Sequence, residues 1–220
     1  MNYKILNIKG ALLDTQQLED YLRKIASGHV LQDKSNKYTY PIPRLKENFE
    51  FITEVYNLLN EHIKLKLPIH PAGEWILDNF YIIDETVKTV TKELTLKKYT
   101  NFLGIANGPY AGFARIYVLA SEIVAYTDNK INDEILSMAI SAYQRRKTLA
   151  MEEIWNLWIF LEIAIIENIR NICEKIYSSQ VQKYKVESII ERLVEKKDRN
   201  KLEFKPISMN KLEKQDFQDI

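Results

Sequence analysis

The sequence predicts an all-α protein, an irregular bundle of about six to seven helices. Three observations lead there. Apolar residues recur three and four apart along most of the chain, the period of a helix that buries one face. Helix breakers are scarce, six glycines and six prolines in 220 residues, and several fall where a helix would begin or end. A single short run, Tyr38, Thr39 and Tyr40, has extended character, and one run does not make a sheet.

Asp14, followed three residues later by Gln17, forms a capping box and predicts a helix to about residue 26. Residues 28–43, GHVLQDKSNKYTYPIP, read as a loop. A second helix opens near Pro43, since a first helical turn needs no proline N–H, and runs to about residue 66. Leu45, Phe49, Ile52, Val55 (or Tyr56), Leu59 and Ile63 give it one apolar side. Pro68 ends it, and Pro71 opens a third helix to about residue 94. A turn follows over LKKYTNFLGIANGP, and Pro109, with Gly108 as a cap, opens a fourth helix to Thr127. Asn132 caps a fifth, to about residue 147, with Asp133 and Glu134 complementing its dipole. The sixth and longest follows Thr148 and passes through IWNLWIFLEIAII toward residues 178–179. A further amphipathic stretch covers residues 181–196, and the polar tail after it reads as a cut rather than a natural end. The expected organisation is an N-terminal helix and loop (1–43), a helical core domain (44–177), and an amphipathic helix with its tail (178–220).

With 46 % hydrophobic and 28 % charged residues the composition is that of a globular domain. A net charge of +1 gives no field to draw nucleic acid, and the basic-leaning residues 183–201 carry glutamates throughout, so no nucleic-acid partner is expected. Cys173 stands alone, which excludes an internal disulfide and any cysteine-rich zinc site and fits a reducing, cytoplasmic setting. The N-terminus lacks the apolar stretch of a signal peptide. The most apolar run, residues 154–166, contains Asn156 and Glu162 and falls short of the about 20 residues that span a bilayer. It reads as a buried core helix. No zinc or di-iron spacing, no phosphate-binding glycine loop and no Asp-x-Asp occurs, so no metal and no cofactor is expected.

The stretch PAGEWILDNFYIIDE, residues 71–85, concentrates carboxylates beside a tryptophan and an asparagine. At about 100° per residue, Ile76, Phe80, Ile83, Val87, Val90 and Leu94 line one side. Glu74, Asp78, Tyr81, Glu85, Lys88 and Lys92 fall nearly opposite. Burying each large apolar side chain is worth roughly 1.5–3 kcal/mol, against about 1 kcal/mol lost at Gly73. The apolar side therefore turns inward and the acids outward, with Asp84 and Glu85 spaced to pair with Lys88. Trp75, Asn79 and Ile82 sit at the margin of the stripe. An aromatic face beside carboxylate, amide and guanidinium groups suits a sugar ring, so the candidate carbohydrate-binding residues are Trp75, Asp78, Asn79, Arg115 and Tyr117. For Arg115 the plainer reading is a bridge to a carboxylate on a neighbouring helix. Glu167 and Arg170 are spaced for an ion pair. The adjacent acids Asp84–Glu85 and Glu152–Glu153 diverge by about 100° on a helix and make no glycosidase pair. No catalytic residue is assigned, although an independent enzyme using Glu74 or Asp78 stands as an alternative.

The blocks PAGEWILDNFYIIDE, GPYAGFARIY, VAYTDNKIN, AYQRRKTLAMEEIW and IENIRNICEKI, in this order, resemble the region near the N-terminus of cyclic β-1,2-glucan synthetases. These are very large bacterial enzymes formerly grouped with glycosyltransferase family 36, and the resemblance covers residues 12–176. Its Glu-Trp-x-Leu-Asp-Asn-Phe block falls on Glu74, Trp75, Leu77, Asp78, Asn79 and Phe80. Its Gly-Pro-x-Ala-Gly-x-x-Arg-x-Tyr block falls on Gly108, Pro109, Ala111, Gly112, Arg115 and Tyr117. Tyr126 replaces a histidine before Thr127 and Asp128, which speaks against a histidine-dependent role there. Ala114 replaces a usual proline, a mild loss if Pro109 starts the helix. The resemblance implies a parent β-1,2-glucosyltransferase attached to the cytoplasmic membrane. This segment is then a non-catalytic helical domain without a membrane span, which docks downstream modules of the same polypeptide or holds β-glucan. A stand-alone carbohydrate-binding module and a generic helical interaction domain are the alternatives.

Overall fold

A computed structural model describes residues 4–6, 8, 11–127 and 130–194, with side chains described no further than residue 179. Contacts divide the chain into one compact unit, Met1–Ser179, and a second, Gln180–Ile220. The polar tail after residue 194, and Asp128 of the Tyr-Thr-Asp block, lie outside the described residues. Among those described, eight α-helices and one two-stranded sheet make up the fold, which is the all-α bundle that the periodicity predicts.

Helix α1 (Thr15–Gly28) starts as expected, with Asp14 accepting from the Gln17 N–H and Gln17 returning the bond to the Asp14 N–H. Its buried residues Leu18, Leu22 and Ala26 face α6 (Asp133–Gln144), which offers Ala139, Ala142 and Tyr143. Small residues let the two helices approach closely. Helix α2 (Ile42–Lys64) opens one residue before Pro43 and packs along α3 (Pro71–Glu93). Phe80 of α3 stacks between Phe49 and Tyr56 of α2, at 5.9 and 4.0 Å between ring centroids. Gly73 is part of this seam, since a Cβ there would stand 2.9 Å from Ile69 and 3.1 Å from Leu59.

The loop between α1 and α2 contains β1 (Leu31–Gln32) and a 3₁₀ turn at Lys37–Thr39, so Tyr38 and Thr39 are turned rather than extended. The turn expected after α3 contains a short helix, α4 (Leu96–Asn101), capped by Thr95, and then β2 (Gly104–Ile105), which pairs antiparallel with β1.

Helix α5 (Arg115–Tyr126) begins six residues later than Pro109, which corrects the expectation. Gly108 and Gly112 take φ of +67° and +94°, which no helix contains. Gly112 also works as a tie point. Its carbonyl accepts from the Asn36 N–H and the Thr39 hydroxyl, and its N–H donates to the Ile105 carbonyl. The Gly-Pro-x-Ala-Gly block thus folds back as a loop before the helix, and Ala114 occupies the cap position. A proline there would itself stand at the helix start, so Pro109 does not compensate for its loss.

Helix α5 runs through the middle of the unit with Ile116, Val118, Leu119, Ala120 and Ile123 fully buried. After α7 (Met151–Trp155) the chain breaks at Asn156, whose side chain donates to the Glu152 carbonyl in competition with the backbone ladder. The long helix α8 (Leu157–Val194) follows, and it continues through residues 181–194 where a separate helix was expected. Phe160 of α8 meets Phe102, Tyr117 and Tyr99 at 5.4–6.4 Å. The apolar run is only half a core helix, however, because Trp155 and Trp158 are 71 % and 41 % exposed. No helix of the described residues is long and apolar enough to cross a membrane.

Candidate functional site

The third helix faces as its periodicity requires. Ile76, Ile83, Val87, Val90 and Leu94 are buried, while Glu74, Asp78, Tyr81, Glu85, Lys88 and Lys92 are exposed, and Asp84 pairs with Lys88. The margin residues Trp75, Asn79 and Ile82 do something the periodicity alone does not reveal. With Thr86 they form one bank of a groove of about 200 Å³ whose other bank is Glu162, Ile165 and Ile169 of α8. Trp75 is half exposed beside it.

Glu162 is the single acid of the lining. Its Oε2 is shielded from solvent and has no hydrogen-bond partner, and burial raises its carboxyl above the usual carboxylate range. The Asn79 amide nitrogen gives one of its two N–H groups to the Trp75 carbonyl, 2.8 Å away, which leaves one N–H and the amide oxygen. Chemically the groove is an apolar trough with one carboxyl group and no cationic side chain.

The other sequence candidates lie elsewhere. Asp78 stands exposed on the outer flank of α3. Arg115 is 2 % exposed and makes a bidentate pair with Glu153 of α7, Nε–Oε1 2.7 Å and Nη2–Oε2 2.6 Å, with a further bond to the Thr148 carbonyl at 2.8 Å. Glu153 also accepts from the Ala150 N–H at the start of its own helix. This is the bridge to a neighbouring helix read as the plainer role of Arg115. Tyr143 and His29 extend the cluster, the His29 Nδ1 lying 3.0 Å from the Tyr143 hydroxyl. Burial, with Arg115 and Lys147 nearby, pushes His29 down to about 4, so its ring is neutral near pH 7. Tyr117 is buried against Phe160 with its phenol raised by desolvation. The candidate set therefore splits: Trp75 and Asn79 share the groove, Asp78 flanks it, and Arg115 and Tyr117 belong to the interior.

Two further carboxylates depart from local spacing. Glu167 turns to α2, bound by Arg44 at 2.9 Å and by the Asn48 amide at 2.5 Å, while Arg170 pairs with Glu174. The expected Glu167–Arg170 pair gives way to partners from a neighbouring helix and from one turn further on. Glu122 is fully buried on α5, accepting from the Tyr21 hydroxyl at 3.0 Å, and burial raises its carboxyl. Glu162 is the residue the sequence reading passed over. Its signal was present, as the one charge inside the most apolar run, spaced from Trp158, Ile165, Ile169 and Ile172 in steps of three and four.

Among the described residues no cluster of histidine, cysteine and carboxylate groups is arranged to hold a metal ion. No family model matches the chain. It is similar to the cyclic beta-(1,2)-glucan synthase NdvB of Rhizobium meliloti (strain 1021), 26 % identical over 155 residues, which is 70 % of this chain and 5 % of that protein. The resemblance carried by the motif blocks is upheld over that length. The chain spans about one-twentieth of the relative it matches.

Proposed function

We propose that the chain is a non-catalytic helical domain of a large cyclic β-1,2-glucan synthase-like glycosyltransferase, acting by docking onto other modules of the same polypeptide. The similarity to a protein named as a cyclic β-(1,2)-glucan synthase carries this reading. An N-terminal, cytoplasmic position beside a membrane-attached parent accompanies it. The site geometry favours docking over chemistry. Glu74 and Asp78 face solvent, and Glu153 is consumed by Arg115, so neither set supplies an acid poised over a cleft. The isoleucine-lined groove favours an apolar contact over a hydroxyl-rich sugar. Glucan holding is the second reading, resting on Trp75, Asn79 and the flanking Asp78, with Arg115 and Tyr117 contributing only by supporting the scaffold.

The test is excision and return. The region corresponding to residues 12–176 is deleted from a synthase that carries it, and cyclic glucan formation is measured with and without the excised domain supplied as a separate polypeptide. The expected result is a severe loss that the added domain partly restores. Undiminished synthesis after deletion, or glucosyl transfer by the isolated domain from a sugar nucleotide, would overturn the reading. Calorimetry with β-1,2-glucan oligosaccharides separates the second reading, which requires binding that Trp75→Ala abolishes.

A further inference from the structure

Two ridges border the α3–α8 groove, and both have heptad spacing. Trp75, Asn79, Ile82 and Thr86 step by four, three and four along α3. Trp158, Glu162, Ile165, Ile169 and Ile172 step by four, three, four and three along α8, about 21 Å of helix at 1.5 Å per residue. Trp158, Ile172, Trp75 and Ile82 are all exposed, so the apolar surface extends beyond the groove itself. A trough between two such ridges is the seat for a third helix, whose own stripe fills the gaps between the knobs.

The polar groups say what that helix must bring. The shielded Glu162 Oε2 has no partner, and no lysine, arginine or histidine lines the groove to balance the carboxyl. A covering surface with no donor would seal an unpaired carboxylate oxygen in an apolar contact, which is costly. A second copy of the same face would set acid against acid. A glucan chain would lay hydroxyls on isoleucine.

We propose that the groove receives an amphipathic α-helix of the module on which this domain docks, with an apolar stripe seated on Ile82, Ile165 and Ile169 and a lysine or arginine at mid-stripe bound to Glu162. A lysine stem would pack along the isoleucines while its ammonium pairs with the Glu162 carboxylate that lines the groove. The inference rests on the docking reading and gives it a surface and a partner chemistry.

The experiment titrates the ¹⁵N-labelled 220-residue chain with three synthetic amphipathic helical peptides that are identical except for a central lysine, glutamine or glutamate. The lysine peptide is expected to shift the indole resonances of Trp75 and Trp158 and to bind roughly tenfold more tightly than the glutamate peptide, with glutamine between. Glu162→Gln should reduce that ratio to about twofold or less without lowering the melting temperature. Ile169→Arg should weaken the lysine peptide by roughly tenfold or more. Equal binding of all three peptides, or a preference unchanged in Glu162→Gln, would contradict the proposal. So would a concentration-dependent dimer broken by Ile169→Arg, or a Trp75 response to β-1,2-glucan oligosaccharides with none to the peptides. If charge preference is absent while the excised domain still restores synthesis, docking stands and uses another face. If the preference is present while excision has no effect, the groove is a helix receptor and the synthase reading fails.

Discussion

The Arg115–Glu153 pair and the α3–α8 groove place the same chemical groups in two different surroundings. Each holds a carboxyl group away from solvent. Glu153 accepts from Nε and Nη2 of Arg115 and from the Ala150 N–H, so both of its oxygens are engaged within the chain. Glu162 keeps a shielded oxygen without a partner. A buried charge whose hydrogen bonds close internally is a fold element. One left unpaired beside an apolar groove is a cost that the fold itself does not offset. Residue type does not separate the two cases, and neither does local spacing; the separation comes from which helix lies alongside.

The comparison breaks most visibly if the closed pair proves dispensable. Arg115→Ala leaves the Glu153 carboxylate buried and uncompensated and should cost about 3–5 kcal/mol in urea unfolding. The double variant Arg115→Met/Glu153→Leu should recover most of that loss, because two apolar side chains remove the desolvation problem along with the pair. A loss below about 1 kcal/mol for Arg115→Ala would mean the pair is not the interior tie described.

Acidity sharpens the contrast next. His29, 7 % exposed beside this pair, has its pKa lowered from 6.5 to about 4. The unfolded chain takes up a proton as pH falls through 6.5 while the folded chain does not, so stability is full above that value and declines toward pH 4. The contribution is up to about 3 kcal/mol, and His29→Gln should remove that part of the slope in unfolding measured from pH 7.5 to 4.5. Glu162 tilts the other way. Burial raises its carboxyl, so the penalty it imposes appears as pH rises through its folded pKa.

A smaller effect belongs to the loop that holds Arg115 in place. Gly112, at φ +94° with Asn36 Cβ only 3.2 Å from where its own Cβ would be, should lose about 1–3 kcal/mol on substitution by alanine. Gly108, at φ +67° in open space, should lose less, and equal losses in thermal melts would mean that the left-handed backbone alone, and not the contact with Asn36, sets the cost.

These regions were unequally legible in the sequence. The third helix could be read in full, because Pro71 marks its start and six apolar residues in steps of three and four decide its inward face. The start of α5 could not. Gly112 is held at positive φ by hydrogen bonds from Asn36 and Thr39, more than seventy residues away, and no local pattern encodes those partners. Arg115 was legible as a bridge but its partner was not, since Glu153 comes to it only when α7 packs beside α5. The groove was legible in halves. Trp75, Asn79 and Ile82 stood out at the edge of a stripe, whereas Glu162 looked like an interruption in a core helix until α8 was set against α3.

The most direct measurement is the unfolding free energy of Glu162→Leu beside that of Glu153→Leu, read in urea at pH 7. The first should match the parent chain or exceed it by about 1 kcal/mol, since it removes an acid with no internal partner. The second should fall by about 3–5 kcal/mol, since it strands Arg115 in the interior. A Glu162→Leu chain destabilised as severely as Glu153→Leu would show that Glu162 is bound inside the fold, and the groove would then have no open acid to offer a partner.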